Sequence, residues 1–169
     1  MTRQGFLVGQ TEMLVRNEML VPGDVAPNFR LTANNWAVKS LDDYAGRVKI
    51  ISVVPSLDTR VCAAQTRHFN EDAAALGENV VILTVSADLP YAQRRWCAAE
   101  GIDRVETLSD HKDMSFSDAY GVHVVPMRIT QRSVFVIGAD NRVHHAEYIY
   151  VIGNEVNFQA ALEAARAAL

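Results

Sequence analysis

The stretch PSLDTRVCAAQTRHF, residues 55–69, places Pro55, Thr59 and Cys62 where an apolar run gives way to a helical pattern. A thiol attacks as the thiolate, and helix N-terminal amides and a nearby cation favour that anion. Cys62 falls at a helix start, so the unpaired N–H groups of Val61 and Cys62 face the place where its sulfur would react. Thr59 can turn its hydroxyl toward the sulfur or toward an oxygen held beside it. Pro55 narrows the approach and offers no N–H. The chemistry implied is nucleophilic attack by sulfur on a small electrophile, in a pocket edged by Pro55 and Val61. The plainer readings are a buried, inert cysteine and a threonine that only caps its helix.

Elements must hold these residues in place. Residues 48–54 form a β-branched run suited to a strand buried on both faces, ending at Pro55. Asp58 or Thr59 can cap the next helix, whose apolar Val61, Phe69, Ala73 and Leu76 lie near helical spacing, and Gly77 closes it. Residues 79–87 make a second buried-strand run. Pro90 then opens a helix with Ala92, Trp96 and Ala99 as its stripe, Cys97 beside it and Gly101 at its end. Two successive β–α units imply parallel strands.

Farther on, residues 133–137 and 143–149 read as strands joined by a turn at 138–141, and Asn154 or Asn157 can cap a last helix through Ala168. Phe6 to Val15 suggests a short N-terminal hairpin, and residues 26–46 an edge hairpin with a connecting turn. The order predicts an α/β fold, a thioredoxin-like mixed central sheet with helices on both faces and an N-terminal β-hairpin extension. Residues 1–169 are expected to form one domain, since 169 residues at 49% hydrophobic composition suffice for one substantial core.

The formal charge of −4 comes from scattered acids and bases, with no basic stripe for nucleic acid and no polybasic patch for a membrane. No apolar stretch approaches the roughly 20 residues of a spanning helix, and residues 1–20 lack the pattern of a signal peptide, so a cytoplasmic location is expected. Two cysteines, Cys62 and Cys97, are too few for a disulfide scaffold and form no Cys-x-x-Cys pair. The histidines at 68, 111, 123, 144 and 145 show no recognised metal-site spacing, and neither a metal nor another cofactor is expected.

Pro55-x-x-x-Thr59-x-x-Cys62 resembles the peroxiredoxin active-site motif. VVPSLDTRVCAAQTRHFNEDAA, VSADLPYAQRRWCAAEGI and TLSDH, with GDVAPNFRLT upstream and RSVFVIGADNRV downstream, resemble the bacterial thiol peroxidases, atypical two-cysteine peroxiredoxins. That resemblance spans nearly the whole chain. It implies that Cys62 is the peroxidatic cysteine, Thr59 its hydroxyl partner, Arg132 the arginine arriving from a distant strand, and Cys97 the resolving cysteine, joined to Cys62 in an intramolecular disulfide. Arg128 is a rival for the arginine role, in a stretch, GVHVVPMRITQRSV, without the family's glycine-rich character. Arg60 stands where relatives carry a small residue or proline.

The resemblance further implies a hydroperoxide substrate, reduction by thioredoxin or a similar dithiol, and a homodimer. Two other functions remain open to the sequence: a thioredoxin-like disulfide carrier, which would want a close cysteine pair, and a non-catalytic interaction module.

Overall fold

The computed structural model describes residues 1–169. Along the chain run Thr2–Val8 (β1), Thr11–Arg16 (β2), Leu31–Ala33 (β3), Val38–Lys39 (β4), a 3₁₀ turn at Leu41–Tyr44, Val48–Val53 (β5) and Arg60–Leu76 (α1). Val80–Ser86 (β6), Pro90–Glu100 (α2), Glu106–Ser109 (β7) and Ser115–Ala119 (α3) follow. The chain ends with His123–Val124 (β8), Ile129–Thr130 (β9), Ser133–Ile137 (β10), Val143–Tyr148 (β11) and Phe158–Ala167 (α4).

Seven strands build the central sheet in the order β11-β10-β5-β6-β7-β3-β4. β5, β6 and β7 are parallel and the outer strands antiparallel, which is the expected mixed thioredoxin-like sheet. β5 is buried along its whole length because both faces are covered. Val48, Ile50, Ile82, Val134 and Val136 pack against Phe69 of α1 and Ala161, Leu162 and Ala165 of α4. Burying a side chain such as Phe69 is worth about 1.5–3 kcal/mol. On the other face Ile51, Val53, Leu83, Val85 and Phe135 meet Phe116 and Tyr120, with the 3₁₀ turn adding Leu41 and Tyr44.

Three features depart from the reading of the sequence. β7 is a third parallel strand; its run Glu-Thr-Leu-Ser has one apolar residue and carries no strand pattern of its own. The five-residue α3 is too short to show periodicity. The inward face of α2 is Pro90, Gln93 and Cys97 rather than the Ala92, Trp96, Ala99 stripe. Gln93 is buried because its amide donates to Ser86 Oγ and to the Leu108 carbonyl, both at 3.0 Å.

The N-terminal hairpin forms as expected and joins β8 and β9 in a second sheet of order β1-β2-β8-β9. It also braces a segment that matters for the site. Leu7 N donates to the Tyr150 carbonyl (2.7 Å), Ile152 N donates to the Leu7 carbonyl (3.0 Å), and Gln131 Nε2 donates to the Gly5 carbonyl (2.7 Å).

Candidate active site

Cys62 lies in the first turn of α1, fully buried. β5 delivers the chain to this turn, and the antiparallel register of β10, with Ser133 opposite Val53, sets Arg132 directly across from it. Arg132 Nη2 lies 3.4 Å from Cys62 Sγ and 3.1 Å from the Ile152 carbonyl. Its Nη1 donates to Gln65 Oε1 at 2.9 Å, and Gln65 Nε2 donates to Ser52 Oγ at 2.8 Å. Three anchors therefore fix a guanidinium that is only 1% exposed.

Burying a cation is costly unless an anion compensates it. Arg132 forms no salt bridge with any carboxylate, and its Nε has no partner. A thiolate formed on Cys62 would lie beside this guanidinium, whose Nη2 reaches the sulfur at 3.4 Å.

A cleft of about 200 Å³ has Cys62 in its lining. Pro55, Thr59, Arg60 and Val61 form one wall, and Arg132, Ile152 and Gly153 the other. Thr59 occupies the N-cap position by its backbone but makes no side-chain cap; its hydroxyl donates to the Ser56 carbonyl at 3.2 Å. The residue is exposed and lines the cleft, and its hydroxyl oxygen accepts no hydrogen bond within the fold.

The loop before Cys62 is held from the side. Asp88 accepts from Leu57 N (2.8 Å), Ser56 Oγ (2.8 Å) and Ser86 Oγ (2.7 Å), so it staples the Cys62 loop to the entry of α2. Beneath α2, Val54, Leu57 and Cys62 form a small apolar cluster against Trp96.

Arg128, the rival arginine, stands on the turn between β8 and β9 and donates to the His111 carbonyl, away from Cys62. Cys97 is a free, buried thiol, as is Cys62. Its sulfur lies 3.6 Å from Thr107 Oγ1 on β7. Burial pushes the Cys97 thiol up from its ordinary value, against a smaller downward pull from the Thr107 hydroxyl. No group of three or more His, Cys, Asp or Glu side chains is placed to hold a metal ion, and no helix is long and apolar enough to cross a membrane.

Pro55, Thr59, Val61, Cys62 and Arg132 thus share one cleft, whereas Cys97 stands apart from it. Sequence reasoning missed Gln65 and Ile152. Gln65 left a trace, a polar side chain one helical turn after Cys62 on the inward face. Ile152 contributes a backbone carbonyl, which no side-chain type reveals.

A buried cysteine at a helix start, faced by an arginine on a thioredoxin-like sheet, defines a thiol-based redox protein. The Redoxin family model matches residues 21–162. The thiol peroxidase of Bacillus subtilis (strain 168) is 54% identical over 91% of each chain, and that of Halalkalibacterium halodurans 52% identical over 95% of this chain and 96% of its own. A crystal structure of a peroxiredoxin-like protein from Aquifex aeolicus superposes with a TM-score of 0.91 at 28% identity, covering 99% of both chains. The chain belongs to the redoxin family and is a thiol-dependent peroxidase of the peroxiredoxin type.

Proposed function

We propose that Cys62 is the nucleophile of this peroxidase and that Arg132 and Thr59 hold the peroxide against it. The observation that carries the assignment is the buried guanidinium 3.4 Å from the sulfur, with no carboxylate of its own. The Cys62 thiolate attacks one oxygen of the hydroperoxide, an S–O bond forms, the O–O bond breaks, and the departing oxygen leaves as alcohol or water after taking a proton. Negative charge grows on that oxygen, where the Arg132 guanidinium and the amides of the α1 N-terminus can stabilise it. Thr59 accepts from the hydroperoxide O–H, since its own proton is given to Ser56.

The sulfenic acid on Cys62 is then resolved by Cys97 in an intramolecular disulfide, which a dithiol of the thioredoxin type reduces. Cys62 lines the cleft with Arg132, whereas Cys97 lies against Thr107 on β7 and outside that cleft, so some backbone must yield for the sulfurs to meet. The first turn of α1 after Cys62, the part of α2 near Cys97, or both, are the segments that open. Hydrogen peroxide and organic hydroperoxides are the substrates, the chain acts as one domain in the cytoplasm, and the exposed Trp36, Leu89 and Tyr91 suit association as a homodimer.

Rapid mixing of reduced protein with hydrogen peroxide and with an organic hydroperoxide, with and without thioredoxin, tests the reading. Cys62→Ser should abolish turnover, and mass spectrometry of oxidised wild type should find Cys62 linked to Cys97 within one chain. Turnover surviving in Cys62→Ser would end the assignment.

A further inference from the structure

The parallel register aligns three hydroxyl side chains in one row across the sheet, Ser52 on β5, Thr84 on β6 and Thr107 on β7. The outer two are engaged at the two cysteine sites: Ser52 with Gln65, which holds Arg132 beside Cys62, and Thr107 with the sulfur of Cys97. Thr84, between them, is fully buried and its hydroxyl has no partner.

The next row shows how unusual that is. Ser86 on β6 donates to Asp88 and accepts from Gln93, and Ser109 on β7 donates to the Asp88 carbonyl. A buried hydroxyl without a partner costs about 1–3 kcal/mol, and a valine of the same shape would avoid the cost. The residue is polar where the reduced fold makes no use of polarity.

We propose that Thr84 is a positioning residue for the resolving step: its hydroxyl receives the sulfur of Cys97 as that sulfur leaves Thr107 and crosses β6 toward Cys62. The inference rests on the disulfide reading given above. Neighbouring strands lie about 4.8 Å apart, so Thr84 stands one strand spacing from Thr107, on the side of β5, the strand that leads into the Cys62 loop. In the step, Cys97 gives up its proton and attacks the Cys62 sulfenic sulfur; the S–S bond forms, the S–O bond breaks, and the hydroxide leaves as water with that proton. Burial opposes the anion that Cys97 must become. A donor waiting one strand along keeps the moving sulfur hydrogen-bonded after Thr107 has let go.

The test is Thr84→Val in the full chain, with quenched-flow mass spectrometry that follows Cys62 oxidation and the Cys62–Cys97 link separately. The first oxidation should stay within about twofold of wild type, while linkage slows about tenfold, the scale of one lost hydrogen bond. Sulfinic acid at Cys62 should accumulate in the same proportion, and Thr84→Ser should restore linkage. The melting temperature of reduced Thr84→Val should hold or rise. Linkage at the wild-type rate in Thr84→Val refutes the role of Thr84 alone. Equal slowing of both steps makes the residue structural and also overturns it. A wild type that never links Cys62 to Cys97 removes the disulfide reading and this inference together.

Discussion

Gln65 is the point at which fold and chemistry meet, and Gln65→Leu separates them. The glutamine side chain spans two buried polar groups, accepting from Arg132 Nη1 at 2.9 Å and donating to Ser52 Oγ at 2.8 Å. Leucine fills a similar volume, so little cavity cost enters. Losing the bond to the charged guanidinium costs about 1.5–3 kcal/mol and losing that to Ser52 about 1 kcal/mol. The sum, about 3 kcal/mol, corresponds to a fall in melting temperature of roughly 10 °C for a chain of this size.

Arg132 would keep the Ile152 carbonyl and the Cys62 sulfur but lose its brace to α1 and β5 through Gln65, and a displacement of about 1 Å at a reacting centre costs about 10² in rate. Gln65→Glu supplies the contrast. A carboxylate in the same place still pairs with Arg132, so stability holds, but it competes with the sulfur for the cation and slows attack. Thermal unfolding and rapid-mixing peroxide kinetics on both variants check this. A Gln65→Leu protein that melts within about 2 °C of wild type and reacts at the same rate, or a Gln65→Glu protein that reacts faster, would refute the reasoning.

Arg132→Ala should slow peroxide attack by about 10²–10³, whereas Arg128→Ala should leave it within about twofold; stopped-flow rates showing the reverse would exchange the two assignments. Thr59→Val should cost about 10² in the same step, with Thr59→Ser close to wild type, because the role asked of the side chain is an oxygen facing the cleft. For Cys97, burial raises the folded thiol above its unfolded value, so its contribution to stability is present at neutral pH and is lost as pH rises past the ordinary thiol range. Alkylation of Cys97 in reduced Cys62→Ser should therefore be slow at neutral pH with a midpoint above that of a free thiol.

The sequence by itself determined what is local. The stop at Pro55, the helix start at Thr59 and the placement of Cys62 in its first turn depend on neighbours within a few residues, as do the caps at Gly77 and Asn157 and the hairpin at the N-terminus. The continuous β-branched run of β5 announced a strand covered on both faces, and from it the layered sheet could be anticipated. β7 could not, because its pairing comes from β6 and β3 rather than from its own composition.

Arg132 reaches Cys62 across 70 residues of sequence, and only the register of β10 on β5 brings it there rather than Arg128. The inward turn of Gln93 and Cys97 was equally hidden, since hydrogen bonds to Ser86, Leu108 and Thr107 bury polar side chains that periodicity assigns to solvent. Tertiary structure decided these contacts because a hydrogen bond between distant elements is set by strand register, and register is a property of the assembled sheet, not of any one segment.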